Sequence, residues 1–185
     1  AEIKSAISSS EQFNDFLSQH YPALSKKVQQ IKSPYQCFIP QGLAHRIAIS
    51  GIGSPLWKQF VPDAQESQGP GLLDPTGDFH HLPTNKVVHR YHNRVLLTPT
   101  TKCPVDCRYC FRKNTLNFDT KPFLGEMDQA LNYIDHHPEI EEVILTGGDP
   151  LMVPDKALAT LIENLGKISH LKYLRLHTRM PIILP

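Results

Sequence analysis

The chain contains the stretch Thr101-Lys-Cys103-Pro-Val-Asp-Cys107-Arg-Tyr-Cys110-Phe-Arg112-Lys-Asn114, which holds three of its four cysteines. We call this stretch the cysteine loop. It follows an apolar run at residues 94–99 that is typical of a buried strand. Because three thiols so close in sequence can turn toward one centre, their spacing indicates a metal site directly after a strand.

The sulfur ligands narrow the choice of metal. Thiolates select zinc, copper(I) or iron–sulfur clusters, and a structural zinc site needs four protein ligands. The fourth cysteine, Cys37, has no cysteine or histidine beside it at the spacing of a zinc ligand pair. Three thiolates on a four-iron cluster leave one iron open, as in a catalytic metal site. We therefore favour an iron–sulfur cluster on Cys103, Cys107 and Cys110 over zinc, with disulfides the least favoured alternative.

Strand and helix patterns alternate around the cysteine loop. Apolar runs predict strands at residues 94–99, 142–146 and 173–178. Helical spacing predicts helices at residues 125–137 and 155–166, the second with Asp155 as its N-cap. This order predicts an α/β fold of parallel βαβ units, in which three strands form only the first part of a barrel.

The first half of the chain has a helical pattern. Residues 8–31 predict one or two helices broken near Pro22, and residues 34–54 predict a short helix with turns. No strand precedes the glycine pair at Gly51 and Gly53, so we expect a turn and not a nucleotide-binding loop. The predicted domains are a mostly helical region with a linker, residues 1–92, and a truncated barrel, residues 93–185.

Three candidate segments follow the three predicted strands. They are the cysteine loop, the glycine loop Thr146-Gly147-Gly148-Asp149, and the segment His177-Thr-Arg179. In parallel barrels the loops after the carboxyl ends of the strands build the active site. The sequence therefore predicts that these three segments meet at one mouth.

Four histidines lie in residues 79–92, and only His89 and His92 have a spacing that one helical turn would bring together. A metal site there would lack a carboxylate partner. We expect these histidines to be loop or surface residues.

The composition is that of a globular protein, with 40% hydrophobic and 20% charged residues and a net charge of +1. This charge gives no reason to expect a nucleic-acid or membrane partner. The sequence shows no signal peptide and no apolar run long enough to span a bilayer. We predict a cytoplasmic protein, because thiolate clusters suit a reducing compartment.

The spacing Cys103-x-x-x-Cys107-x-Tyr109-Cys110 resembles the cluster motif of the radical S-adenosylmethionine (SAM) enzymes. The longer string from Cys107 to Arg112, followed by Leu145-Thr-Gly-Gly-Asp-Pro-Leu151, resembles the lysine 2,3-aminomutase family, including its branch that acts on elongation factor P. The likeness runs from about Pro55 to Pro185. The Phe111-Arg112 pair and the lead-in Tyr91-His-Asn-Arg94 favour the elongation factor P branch slightly.

The resemblance implies a role for each candidate residue. The three cysteines would hold a [4Fe-4S] cluster, and Thr146, Gly147, Gly148 and Asp149 would bind SAM. Asp149 would accept a charge-assisted hydrogen bond from the SAM ammonium group. The alternative for the glycine loop is an ordinary turn between a strand and a helix.

Four further residues receive roles from the resemblance. Arg112 would hold the substrate α-carboxylate, as a planar guanidinium can, and the alternative is a surface arginine that offsets the negative charge of the cluster. Tyr109 would pack near the adenine of SAM, unless it is an ordinary core tyrosine. His177 and Arg179 could reach SAM or the substrate.

The implied reaction is an isomerisation that moves the amino group of L-lysine, free or for elongation factor P modification, from C2 to C3. It would use the [4Fe-4S] cluster, SAM and pyridoxal phosphate (PLP), whose binding lysine lies beyond this chain. The implied partners are a small-molecule substrate, lysine or a related amino acid, and an electron donor such as flavodoxin or ferredoxin. A homo-oligomer is left open. The alternatives are a radical SAM enzyme acting on another substrate and a non-catalytic metal-binding module.

Both ends of the chain look cut, since it starts at Ala1 without a methionine and stops at Pro185 just after a predicted strand. We expect the 185-residue chain by itself to be a weak or inactive catalyst.

Overall fold

The computed structural model describes residues 2–28, 33, 35–68, 71–116, 123 and 125–185. The parts of the helical predictions at residues 29–31 and 34 lie outside the described residues. The chain divides into two compact units, and each is described by itself. The first unit comprises Ala1–Leu72, Pro104–Lys113 and Pro181–Pro185, and the second comprises Leu73–Cys103 and Asn114–Met180.

The first unit is built from helices. They are α1 Ser10–His20, α2 Pro22–Ser25, α3 Gln41–Ser50 and α4 Pro55–Phe60, followed by a 3₁₀ helix at Ala64–Ser67. The predicted break near Pro22 is confirmed, because α1 ends at His20 and Pro22 opens α2, where a missing N–H costs nothing. Gly51 and Gly53 both have positive φ, and the expected turn after α3 is also confirmed.

The core of the first unit is formed by the apolar faces of these helices and by residues from outside them. Phe13 lies in this core with its ring centroid 6.0 Å from that of Trp57. Val105 from the cysteine loop and Ile183 are both buried in the same cluster. The middle of the cysteine loop is therefore held by hydrophobic burial within this unit.

The second unit contains one sheet in the order β1-β2-β3-β4. The strands are β1 Val87–Tyr91, β2 Arg94–Leu97, β3 Glu142–Leu145 and β4 Tyr173–Leu176. The pairs β2·β3 and β3·β4 are parallel, whereas β1 pairs antiparallel with β2. The three predicted strands are confirmed. β1 was not among them, because its second half, His89-Arg90-Tyr91, lacks the apolar pattern of a buried strand.

The remaining helices are α5 Lys113–Leu116, α6 Met127–Asp135, α7 Asp155–Gly166 and α8 Met180–Ile183, with 3₁₀ helices at Asp78–His81 and Pro150–Met152. The N-cap prediction for α7 is wrong, because Pro154 is the N-cap. Asp155 lies in the first turn, where its negative charge suits the helix dipole. No helix in the described part of the chain combines the length and the apolar character that a membrane span requires.

The core of the second unit lies between the sheet and α6 and α7. All four residues of β3 are buried, as in the centre of a parallel sheet, and all four residues of β4 are exposed. The predicted fold class, a helical region followed by the first βα units of a partial parallel barrel, is confirmed. The domain boundary between residues 92 and 93 stays a prediction.

The fold predicts a large difference between two leucines of the second unit. Leu145 is fully buried, so Leu145→Ala should lower the free energy of unfolding by about 3 kcal/mol through lost burial and a new cavity. Leu73 is 73% exposed, and Leu73→Ala should change it by less than about 0.5 kcal/mol. Urea denaturation followed by circular dichroism measures both changes. Equal losses in the two variants would contradict the placement of β3 in the core.

Candidate functional site

The parallel strands of the second unit end in register. Leu97, Leu145 and Leu176 are Cα partners across β2, β3 and β4. The residues that follow the three strands therefore leave the sheet at the same edge. The structure brings the glycine loop and the segment His177–Arg179 together there with Thr98–Cys103.

The glycine loop packs closely against the segment that leads to Cys103. The Gly148 N–H donates to the Thr100 carbonyl at 3.0 Å, and the Asp149 N–H donates to the Lys102 carbonyl at 2.9 Å. A Cβ on Gly148 would lie 2.5 Å from the Lys102 carbonyl oxygen, closer than atoms can approach. The second glycine is thus required for loop-on-loop packing.

Gly147 is required for two reasons. Its φ of 101° lies in the region that favours glycine, and a Cβ there would lie 2.7 Å from the Thr98 hydroxyl oxygen. The resemblance implies that both glycines bind SAM. In the structure Gly147 faces the Thr98 side chain, and Gly148 faces the backbone of residues 100–102.

The Asp149 carboxylate links the glycine loop to the end of β4. Its oxygens accept hydrogen bonds from the Thr178 hydroxyl at 2.7 and 2.9 Å and from the Arg179 N–H at 2.8 Å. It also accepts from the Leu151 N–H at 3.0 Å. Asp149 is 5% exposed, so these contacts replace the water that the carboxylate loses. No motif in the sequence assigns a role to Thr178.

The other two residues after β4 differ in exposure. His177 is exposed, and its N–H donates to the Leu145 carbonyl at 3.0 Å, which extends the pairing with β3. Arg179 is half-buried and is fixed by its backbone contact with Asp149. Both therefore lie on the edge where the glycine loop ends.

Cys107 and Cys110 lie in the first unit and are partly buried. The Cys110 N–H donates to the Cys107 carbonyl at 3.0 Å, which closes a tight turn between them. Burial raises the pKa of the Cys110 thiol, although the Arg112 backbone N–H acts in the opposite direction. A bound metal ion is the usual means by which such a thiol is deprotonated.

The other predicted residues of the cysteine loop are accessible. Tyr109 is 60% exposed, so it is not an ordinary core tyrosine. The Arg112 guanidinium lies over the ring of Phe111 at 4.6 Å from its centroid, a cation–π arrangement.

Arg108, between two of the predicted metal ligands, is buried in the first unit. Its guanidinium forms a bidentate ion pair with Glu66, in which Nε donates to Oε1 at 2.8 Å. The Nη1 atom donates to the Gln36 carbonyl at 2.6 Å, and the Arg108 backbone N–H donates to the Gln59 carbonyl at 2.8 Å. These bonds hold the turn between Cys107 and Cys110 against the amino-terminal part of the unit.

Glu66 has an unusual environment for a carboxylate. Burial acts to raise its pKa, but the hydrogen bonds and charge of Arg108 outweigh burial and hold the pKa below its ordinary value. Lys113 adds a second cation at 3.4 Å. Glu66 also forms a capping box with Asp63. The three-residue spacing of this pair is visible in the sequence. No pattern among neighbouring residues in the sequence predicts the pairing of Glu66 with Arg108.

Among the described residues, Cys37 and the histidines do not form a second metal site. Cys37 lies in the core of the first unit and is 2% exposed, and burial raises its pKa to about 12. None of the four cysteines is disulfide-bonded. His89 hydrogen-bonds Tyr133 at 2.8 Å. Among the described residues, no three histidine, cysteine, aspartate or glutamate side chains form a ready-made metal site.

Comparisons with known proteins agree with the motifs. Residues 97–183 match the model of the radical SAM superfamily. The chain is 40% identical over 150 residues to an L-lysine 2,3-aminomutase of Haemophilus influenzae, covering 80% of this chain and 44% of that protein. Residues 97–183 of this chain therefore match a radical SAM domain.

Two further relatives have the same name. The L-lysine 2,3-aminomutase of Escherichia coli is 35% identical over 148 residues, covering 80% of this chain and 43% of that protein. The enzyme of Methanococcus maripaludis is 28% identical over 189 residues, covering 100% of this chain and 44% of that protein. The chain spans less than half the length of these relatives.

The match of residues 97–183 to the radical SAM model implies an iron–sulfur cluster and SAM as cofactors. The donor set fits such a cluster, because Cys103, Cys107 and Cys110 are thiols within eight residues and none of them is fully buried. The assignment of each cysteine stays a prediction from spacing.

The Arg108–Glu66 pair predicts a pH-dependent contribution to stability. Glu66→Gln should lower the free energy of unfolding at pH 7 by about 2 kcal/mol, because Arg108 loses its counter-charge. The pKa of Glu66 is lowered by folding, so this contribution is present above its ordinary value of 4.5 and is lost as the pH falls through the folded value. Urea denaturation at pH 7 and pH 4 measures the difference, which should shrink at the lower pH.

The matched control is Glu141→Gln, which breaks a pair with the exposed Lys172. It should cost less than Glu66→Gln at pH 7, because solvent screens that pair. A loss from Glu66→Gln that is the same at both pH values would contradict the role of its charge.

Proposed function

We propose that this chain is the cluster-bearing part of a radical SAM aminomutase that moves the amino group of L-lysine from C2 to C3. The observation that supports this most is the 40% identity to the Haemophilus influenzae L-lysine 2,3-aminomutase. That match covers 80% of this chain, a length that necessarily includes the cysteine loop. The order of the cysteine loop and the glycine loop supports it as well.

The proposed [4Fe-4S] ligands are Cys103, Cys107 and Cys110. When bound, the cluster and SAM would supply the radical that starts the reaction. Arg108 and Glu66 fix the backbone between the second and third ligands. The proposed role of the protein is therefore to position the cluster and SAM. This positioning excludes side reactions of the radical.

The proposed SAM-binding residues are Tyr109, Thr146, Gly147, Gly148, Asp149, His177 and Arg179. Thr146 and Asp149 are buried, whereas Tyr109 and His177 are exposed. The buried residues give the glycine loop a single conformation, and the exposed ones remain accessible to a ligand. A preformed loop loses little conformational entropy when the cofactor binds.

Arg112 is the proposed partner of the substrate α-carboxylate. Its stacking on Phe111 restricts the plane of the guanidinium, which favours a two-point contact with a carboxylate. PLP is proposed as the third cofactor, with its binding lysine outside this chain. The finer substrate assignment, toward the elongation factor P branch, is supported by the Phe111-Arg112 pair and the residues Tyr91 to Arg94.

The proposed setting is cytoplasmic, with a flavodoxin- or ferredoxin-type electron donor and a small-molecule substrate, lysine or a related amino acid. A reducing compartment would preserve the thiolates. A homo-oligomer is consistent with this proposal and is not required by it.

The cluster assignment predicts different iron contents for four cysteine variants. After anaerobic reconstitution, the wild-type chain should bind about four irons. Serine at Cys103, Cys107 or Cys110 should remove most of this iron, because each change deletes one ligand. Cys37→Ser is the matched control and should retain it, since Cys37 is buried in the core of the first unit.

Electron paramagnetic resonance of the reduced cluster tests the function itself. Addition of SAM should change the spectrum, because SAM would bind beside an iron that lacks a cysteine ligand. An unchanged spectrum would favour the non-catalytic metal-binding alternative. Retention of iron in all four variants would contradict the ligand assignment.

The Arg112 assignment is tested with lysine and with cadaverine, which is lysine without its carboxylate. In a preparation that forms β-lysine, Arg112→Ala should raise the KM for lysine by about 100-fold, the cost of losing a charged partner. Inhibition by cadaverine should change little. The control is Lys102→Ala, which should affect both ligands equally. An equal loss for lysine and cadaverine in Arg112→Ala would exclude carboxylate recognition by Arg112.

A further inference from the structure

Lys86, directly before β1, has an unusual backbone conformation. Among the residues that the structure describes, it is the one non-glycine residue with a positive φ, which is 68°. A side chain in this conformation is strained, whereas glycine adopts it without that cost. Strained residues of this kind cluster at functional sites, where the surrounding structure holds them in place. We therefore expect the Lys86 side chain to have a role that glycine could not fill.

The Lys86 backbone fixes the start of the connection between β2 and α6, residues 98–126. The Thr98 N–H donates to the Lys86 carbonyl at 2.8 Å, which extends the antiparallel pairing of Val87 with Leu97 by one residue. Thr98 is the first residue after β2, and the chain continues from it into the cysteine loop. Lys86 thus holds the point at which the connection leaves the sheet.

The Lys86 side chain contacts the other end of the same connection. Its Nζ donates to the carbonyl of the buried Phe123 at 3.3 Å. The neighbouring Asn85 packs against Gly125, where a Cβ would lie 2.9 Å from Asn85 Nδ2. All of these residues belong to the second unit. Two consecutive residues before β1 therefore contact the segment that leads into α6.

This arrangement costs the folded state free energy in two ways. The first cost is the strain at φ. The second is burial, which lowers the pKa of Lys86, although the charge of Glu126 acts in the opposite direction. A lowered pKa means that folding disfavours the charged ammonium group, so this cost is present below the folded value and disappears as the pH rises through the ordinary value of 10.5. Residues that lower stability are typical of sites where function needs them.

We propose that Lys86 is a positioning residue that holds both ends of the β2–α6 connection. Its carbonyl fixes the start and its ammonium group fixes the end, so the cysteines between them lie on a closed loop. Closing a loop restricts the conformations of the residues within it. The inference rests on the proposed function only in taking Cys103, Cys107 and Cys110 as iron ligands.

Three variants separate this role from a purely structural one. Lys86→Gly removes both the strain and the ammonium group, Lys86→Met removes the ammonium group alone, and Lys86→Arg keeps a cationic donor. If Lys86 positions the connection, the first two variants should weaken iron binding without lowering the stability of the fold. A residue with only a structural role would lower both together.

The first measurement is the rate at which the anaerobically reconstituted chain loses iron to EDTA. Lys86→Gly and Lys86→Met should each lose iron about tenfold faster than wild type, the value of one hydrogen bond to a charged group. Lys86→Arg should stay within about threefold of wild type, because it restores a charged donor. Wild-type rates in both Lys86→Gly and Lys86→Met would overturn the proposal.

The matched control is Lys156→Met on α7, which removes the ammonium group of an exposed lysine in the same unit. It should lose iron at the wild-type rate. An equal acceleration in Lys156→Met and Lys86→Met would show a general effect of charge and would contradict the specific role of Lys86.

The second measurement is urea denaturation of the chain without iron. Lys86→Gly should unfold at a higher urea concentration than wild type, because the strain and the buried charge are both gone. Lys86→Met should unfold at no lower concentration than wild type. A lower midpoint in both variants would assign Lys86 a structural role and overturn the proposal.

The third measurement is NMR of the Lys86 side chain in the wild-type chain without iron, with its signals assigned by their absence in Lys86→Met. Nuclear Overhauser contacts should join the Lys86 ε-methylene group to Phe123, and their absence would refute the contact. If the wild-type chain binds no iron after reconstitution, the proposed function fails. The NMR contacts and the urea midpoints then decide the role of Lys86 by themselves.

Discussion

The close approach of two loop backbones is the constraint on which the candidate site depends. Gly148 lies so near Thr100 and Lys102 that no side chain fits, and two backbone hydrogen bonds join the segments there. This contact fixes the residues that lead to Cys103 relative to the end of β3. Any residue other than glycine at position 148 would push the two segments apart. The conformation of the residues before Cys103 therefore depends on glycine at this position.

Two carboxylates extend this order, the buried Asp149 in the second unit and the partly buried Glu66 in the first. In the second unit the Asp149 carboxylate accepts from three donors, and in the first unit Glu66 pairs with Arg108 and Lys113. Burying a charge is costly unless it is paired, so each carboxylate is stable only in the conformation that supplies all its partners. Both therefore convert a loop into a rigid element. A site that must hold reactive cofactors benefits from such rigidity.

Local patterns in the sequence account for most of the fold. The apolar runs predicted β2, β3 and β4, and the helical spacing predicted α6 and α7, because burial imposes these periods on neighbouring residues. The secondary-structure prediction failed for one strand and for one helix cap. β1 is half polar, and the N-cap of α7 is Pro154, although Asp155 next to it has the side chain preferred at caps.

By itself, the sequence determined the order of strands and helices, the three-cysteine spacing and the likeness to a family, because all of these are properties of adjacent residues. The tertiary structure decided what the polar side chains do. Thr178 and Asp149 are separated by 29 residues, and Arg108 and Glu66 by 42. Such pairs leave no periodic trace in the chain, since only folding brings the partners together and withdraws them from water.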